Sequence, residues 1–167
     1  MRSTDGVALP AFQSLVDAHA RDVSRLAAAL AGPSDADDVA QQAWLQAWTA
    51  YPQLRTSRNL KSWLLTITAR CATDRHRNRS RAPAPTDPLP DVAVSGPTEP
   101  DPALWSAVRR LPERQRLAIV LRYVADLDHA SIARALDTTT AATRRLVSDA
   151  LATLRTEPTV TEGEFDD

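Results

Sequence analysis

The stretch from residue 82 to 102, "APAPTDPLPDVAVSGPTEPDP", limits the possible folds more than any other part of the chain. Proline has no backbone N–H to give, and its ring blocks a helix from continuing. At this density it makes an extended, semi-rigid linker. The chain must therefore bury its apolar residues in two separate halves. Its 167 residues suffice for one medium domain or two small ones. Alanine, arginine and leucine dominate, and only 4 residues are glycine, which favours helices over a turn-rich β fold. No stretch alternates like a strand over a useful length. The expected architecture is all-α, with two small helical domains joined by the proline-rich linker. The boundaries are 10–81, 82–102 and 103–155, with an acidic, disordered tail over 156–167.

The periodicities place the helices. Phe12, Leu15, Val16, His19, Val23, Leu26, Ala27 and Leu30 recur at three and four residues, an amphipathic helix ended by Gly32-Pro33. Ser34 or Asp35 can cap the next helix, and Asp37 and Asp38 complement its dipole. Ala36, Val39, Ala40, Ala43, Trp44, Ala47 and Trp48 form its inward side, and Tyr51-Pro52 stops it. After a polar loop to Asn59, a third helix is expected from about Leu60 to Arg77, with Leu60, Trp63, Leu64, Ile67 and Cys71 inward. In the second half, Leu104, Trp105, Val108 and Leu111 mark one short helix, and Leu117, Val120, Leu121 and Val124 the next. Two further helices meet at a tight turn near Asp137. The first packs Ile132, Ala133 and Leu136; the second packs Thr143, Val147, Ala150, Leu151 and Leu154.

Charge is segregated although the net charge is only -1. Arg55, Arg58, Lys61, Arg70, Arg75, Arg77, Arg79 and Arg81 are opposed within their span only by Asp74. Such a stretch suits a polyanion, or is a solvated surface. Thr86 to Pro102 and the tail (Glu157, Glu162, Glu164, Asp166, Asp167) are acidic, as flexible segments often are. The single cysteine, Cys71, excludes an intrachain disulfide framework and makes a reducing cytoplasm the default. No apolar run reaches bilayer length, and "MRSTDGVALPAF" lacks the hydrophobic core of an export signal.

Catalysis has no foothold. His19, His76 and His129 are scattered, and no metal-ligand cluster, glycine-rich phosphate loop or nucleophile elbow is present. Cys71 reads as a small core residue. The acidic group Asp35, Asp37 and Asp38 has a sufficient role at a helix N-terminus without a cation. No enzyme activity, cofactor or metal is expected.

The final two helices make a helix-turn-helix candidate. The second presents Thr139, Thr140, Ala141, Arg144 and Arg145 near its start, where a major groove would meet them. Threonine can bond phosphate or touch a thymine methyl, and arginine can pair bidentately with guanine. A structural αα-hairpin is the alternative.

Three segments occur in order: "DADDVAQQAWLQAW" (35–48), "SWLLTITARCATDRHRNRSR" (62–81) and "LPERQRLAIVLRYVADLDHASIARAL" (111–136). Together they resemble the extracytoplasmic-function group of sigma factors, in the sigma-70 family, over about residues 11 to 155. The resemblance implies that the chain docks on the β′ clamp helices of core RNA polymerase through Asp35, Asp38, Gln41 and Gln42, polar residues expected outward beside a mainly buried Trp44. It implies −10 promoter reading through Arg55, Arg58, Lys61, Arg70, Arg75 and Arg77, and −35 reading through the helix-turn-helix. The loop from Tyr51 to Asn59 matches the family loop that captures an unstacked base, with Leu54, Arg55 and Arg58 as candidates. Asp74 matches a family position suited to bracing arginines. The linker corresponds to the segment that threads the RNA exit path. Promoter DNA and an anti-sigma factor are further implied partners, with no membrane. A sigma-like regulator with weak or no −35 recognition is the alternative, and a dimeric repressor a third reading.

Departures from the family pattern gather near the C-terminus. The usual Glu-Ile-Ala is Ser131-Ile132-Ala133, the turn glycine is Asp137, and a core valine is Thr143, whose hydroxyl needs a partner such as the carbonyl one turn back. Leu146 and Asp149 stand at commonly basic positions, with Asp149 in pairing range of Arg145. In the −10 helix, Arg70 stands where asparagine is common, and Thr68-Ala69 replaces Ala-Arg. Recognition of −35 is expected to be weak or unusual.

Overall fold

The computed structural model describes residues 8–81 and 101–157. Most of the expected linker and tail therefore lies outside the described residues. The described residues form seven α-helices and no strand: α1 (Phe12–Ala31), α2 (Ala36–Ala50), α3 (Leu60–Arg81), α4 (Pro102–Arg110), α5 (Glu113–Tyr123), α6 (His129–Ala135) and α7 (Thr140–Thr156). A single 3₁₀ turn, Tyr51–Gln53, follows α2. The chain divides into two compact units, Met1–Pro85 and Thr86–Asp167.

In the first unit α1, α2 and α3 pack pairwise on one another. Gly32, at φ 81°, closes α1 and donates its N–H to the Ala28 carbonyl at 3.0 Å. Glycine adopts this backbone without a Cβ penalty. The core is Leu15, Val23, Leu26 and Ala27 from α1, Val39, Ala43 and Ala47 from α2, and Leu64, Leu65, Thr68, Ala69, Cys71 and Ala72 from α3. The buried stripe of α2, Val39, Ala43 and Ala47, recurs every four residues, and Trp44 and Trp48 each stand one position beyond it, turned off its face. For that reason Trp44 is only half-buried and Trp48 is 62% exposed, which corrects the inward placement of Trp48. Trp48 instead meets Phe12 edge-on at 5.0 Å, a geometry aromatic rings prefer. Phe12 also sits 5.2 Å from Tyr51, whose hydroxyl donates to the Pro10 carbonyl at 2.6 Å and fastens the end of α2 to the start of α1.

α3 runs to Arg81, four residues beyond the expected end. The sequence offers no helix breaker before Pro83, and arginines suit the negative end of the helix dipole. Thr68 is fully buried, and its hydroxyl donates to the Leu64 carbonyl at 3.0 Å. Burial pushes the Cys71 thiol up to about 11, with the Asp74 carboxylate adding to the effect. A thiol so protonated is an inert core group.

In the second unit α5 and α6 pack on α7 and on each other, and α4 packs on α7. Asp101 caps α4 by accepting from the Ala103 N–H at 2.9 Å, ahead of Pro102 at the first helical position. Leu117 to Leu121 are all buried, so α5 is the central helix. Val108, Leu111, Leu127, Ile132, Thr143, Val147, Ala150 and Leu154 complete the core. Between α6 and α7 the chain reverses through a Schellman turn. Thr138 N–H donates to the Ala133 carbonyl at 2.9 Å, Asp137 N–H to the Arg134 carbonyl at 3.4 Å, and Asp137 has φ 51°. The position lacking the family glycine is thus left-handed, as the turn demands.

Candidate nucleic-acid interface

The N-terminal turn of α7 is built by its own cap. The Thr139 hydroxyl accepts from the Ala142 N–H at 3.1 Å, and the Thr139 carbonyl accepts from the Thr143 N–H at 2.9 Å and the Thr143 hydroxyl at 3.1 Å. The buried hydroxyl at the valine position therefore has the partner expected one turn back. Thr143, Val147, Ala150 and Leu154 face the core, so Ala141, Arg144 and Arg145 face out, with Thr140 half-buried beside them. The outcome is a helix N-terminus, positive by its dipole, carrying two arginines and a threonine on one accessible side, which is an arrangement suited to phosphates and base edges. Arg145 Nε lies 3.9 Å from Asp149 Oδ2, with the arginine side chain 85% exposed. This pair is at the limit of contact and open to solvent, too weak to hold Arg145 from another anion. Leu146, at the other commonly basic position, is half-buried.

The preceding helix is held by Asp128, whose carboxylate accepts from the Ser131 N–H at 2.7 Å. The Ser131 hydroxyl, standing in place of the family glutamate, accepts from Arg134 at 3.1 Å. The hydrogen bond from the Ser131 backbone, then that from its side chain, hold the Asp128 carboxyl below its usual range, with Arg134 and Arg122 contributing against a desolvation penalty.

In the first unit the basic residues divide into distinct groups. Arg55, Arg58, Arg70 and Arg77 are exposed. The Arg58 N–H donates to the Thr56 hydroxyl at 3.1 Å, which shapes the loop before α3. Lys61 stands 3.8 Å from Asp22 of α1, a residue also within 3.3 Å of the His19 ring. Arg75 is committed further: its Nη2 donates to Asp35 Oδ1 at 3.1 Å and to Asp38 Oδ2 at 3.0 Å. Arg79 Nη1 takes Asp35 Oδ2 at 2.7 Å. The fold thus brings two docking candidates, Asp38 of α2 and Asp35 just ahead of it, onto one DNA-reading candidate from α3.

Asp35 departs from both expectations for it. It occupies the N-cap position of α2, but its side chain caps no N–H, and it is 4% exposed rather than outward. A buried carboxylate gains more from two guanidinium groups than from one amide N–H. The outward side of α2 is formed instead by Asp38, Gln41, Gln42, Leu45, Gln46 and Thr49. Gln42, Leu45, Gln46 and Thr49 line a shallow depression with Ala50 and Gln53. Leu45, 63% exposed, was missed as a candidate, as was Arg79. The signal for Leu45 lies in its spacing: it is three residues after Gln42 and one turn after Gln41, on the polar side. Among the described residues no group of His, Cys, Asp and Glu is placed to hold a metal ion, and no helix is long and apolar enough to cross a membrane.

Comparison with known proteins agrees with this division. Residues 15–82 match the family described as Sigma-70 region 2, and residues 102–154 match Sigma-70, region 4. The chain is 29% identical over 154 residues to the ECF RNA polymerase sigma factor SigG of Mycobacterium tuberculosis, an alignment covering 73% of this chain and 41% of that one. It is 37% identical over 115 residues to SigM of the same organism, covering 66% and 58%. It is 31% identical over 165 residues to the probable RNA polymerase sigma factor RfaY of Xanthomonas campestris, covering 91% and 40%. The chain thus spans roughly two-fifths of the length of SigG and of RfaY. Among solved structures, the sigma factor RpoE in complex with the anti-sigma factor NepR from Bartonella quintana shares the fold at a TM-score of 0.74 and 20% identity, covering 86% of this chain and 94% of that one. CnrH in complex with the cytosolic domain of CnrY does so at 0.64 and 21%, covering 86% and 84%. With both regions matched in order across most of its length, the chain belongs to the sigma-70 family, as a sigma factor of the extracytoplasmic-function type.

Proposed function

We propose that the chain binds core RNA polymerase in the cytoplasm and directs it to promoters, without catalysing a reaction of its own. Residues 10–81 dock on the β′ clamp helices and open the −10 element. Residues 103–155 read the −35 element, residues 82–102 connect the two, and 156–167 form a tail. Docking falls to Asp38, Gln41 and Gln42 on the outward side of α2, with Asp35 acting behind them. Contact with −10 DNA falls to Arg55, Arg58, Lys61, Arg70, Arg75 and Arg77, and contact with −35 DNA to Thr139, Thr140, Ala141, Arg144 and Arg145. The observation that carries this reading is the occurrence of regions 2 and 4 in one chain, the second ending in a capped helix with exposed Arg144 and Arg145. One structural relative, RpoE, is held by the anti-sigma factor NepR, and CnrH is held by the cytosolic domain of CnrY, which supports an anti-sigma partner here.

Run-off transcription with purified core enzyme tests the proposal. Promoter-specific transcripts that require the chain are the expected result, and their absence over a genomic promoter library sinks it. A second reading is a sigma-like regulator that holds polymerase with little −35 recognition. Asp149 beside Arg145 favours it, and polymerase binding without promoter-specific initiation is its signature.

A further inference from the structure

In the proposed reading α2 and α3 carry different tasks, yet one guanidinium touches both. Arg75 Nη2 reaches Asp35 at 3.1 Å and Asp38 at 3.0 Å, and Arg79 closes the cluster on the second Asp35 oxygen at 2.7 Å. Two carboxylates and two guanidinium groups cancel. This end of α3 therefore offers a phosphate less positive potential than its arginines suggest.

The two carboxylates are not equivalent. The Asp35 side chain is 6% exposed and held by both arginines. Neither its burial nor its two partners allow it to leave, since that would strand a buried charge. The Asp38 side chain is 59% exposed, and its ion pair among the described residues is with Arg75. An exposed pair of this kind shifts an equilibrium by only about two- to fivefold, so a competing cation can take its place. Asp38 also stands in the first turn of α2, among the residues assigned to polymerase.

We infer that Asp35 and Asp38 are positioning residues that couple polymerase docking to the DNA grip of α3. Asp35 holds Arg75 and Arg79 in place. Asp38 neutralises Arg75 in the free chain and gives it up when a cationic side chain of the polymerase engages Asp38. The partner is thus a basic group on core polymerase, and the consequence is a more positive α3 only in the assembled enzyme. This rests on the polymerase-docking reading above.

The test reads the anisotropy of a fluorescent single-stranded DNA pool against the full chain, alone and assembled with core polymerase, less the signal of core alone. In the chain alone, Asp38→Asn strengthens DNA binding about two- to fivefold. Asp37→Asn removes an equal charge from the neighbouring exposed position, which is not a partner of Arg75, and strengthens binding less. Adding Arg75→Gln cancels the Asp38→Asn gain but not the Asp37→Asn gain. Assembly with core polymerase makes the loss caused by Arg75→Gln larger than in the chain alone. Equal gains from the two aspartate variants, or the same Arg75→Gln loss with and without core polymerase, overturn the inference. A wild-type chain that does not assemble with core polymerase overturns the underlying reading, and the inference with it.

Discussion

In the proposed reading, single side chains decide how strongly the α7 face attracts DNA. Asp149 lies on the helix that presents Arg144 and Arg145, and its 3.9 Å pair with Arg145 is too exposed to matter much energetically. Its main effect is repulsion of phosphate. Replacing it should therefore help: Asp149→Arg is expected to tighten promoter binding by the holoenzyme and to steepen its salt dependence by about one unit of slope. Unaltered affinity across a salt titration would contradict this. Thr143 poses the opposite case, a polar group in a fully buried place. Its hydroxyl bonds a carbonyl that the Thr143 N–H already satisfies. Thr143→Val thus strands no acceptor and removes a buried hydroxyl, so urea unfolding should show a gain of up to about 1 kcal/mol. A loss of that size would show that the hydroxyl holds the turn in shape.

At the scale of the element, α6 depends on its ends. Asp128 caps its N-terminus with a 2.7 Å bond, and the Ser131 amide lowers its carboxyl below the ordinary value of 3.8. The sign follows directly. The unfolded chain takes up the proton first as pH falls, so the stabilisation is complete above the unfolded value and is lost as pH drops through the folded one. Asp128→Ala should cost about 0.5–2 kcal/mol at neutral pH. That difference should shrink below about pH 4, read by urea unfolding at a series of pH values. A deficit that stays constant into acid would mean that the charge plays no part. At the other end, Asp137 holds φ 51° in the Schellman turn. Asp137→Gly should stabilise the second unit by about 0.5–1 kcal/mol by removing a side chain from the left-handed region. A lower unfolding midpoint would refute it.

The described residues form two cores, one in each unit. Trp44, Trp48 and Trp63 report on the first and Trp105 on the second. In a Trp105→Phe background, fluorescence follows the first unit alone. Asp35→Asn should lower the midpoint of that transition, because it removes the charge that answers Arg75 and Arg79, at a cost of about 1.5–3 kcal/mol. Asp137→Gly should leave the same transition in place, as sites in separate cores act independently. A shift from Asp137→Gly would show the units to be energetically coupled. The separation also bears on charge. The sequence places the basic block and the acidic stretches in different segments, and a sum of -1 conceals a first unit whose exposed arginines suit DNA.

The all-α class, the two halves and nearly every helix were legible in the chain, because apolar spacing and proline act locally. The orientation of α7 was legible for the same reason: Thr143, Val147, Ala150 and Leu154 fix its inner face, so Arg144 and Arg145 must face out. The valine-to-threonine exchange even announced the hydroxyl's partner, since a threonine in a helix reaches the carbonyl one turn back. Residues whose environment comes from another helix were not legible. Trp48 was expected inside, but it stands one position beyond the stripe of Val39, Ala43 and Ala47 and rests on the flank against Phe12 of α1. Asp35 had every local mark of a cap. Only the packing of α2 on α3 brought Arg75 and Arg79, forty and more residues away in sequence, within 3.1 Å of its oxygens. Local sequence therefore determined which segments are helical and which side of each is apolar. Tertiary packing decided which charges meet, because charge partners depend on distances that no spacing along one helix encodes.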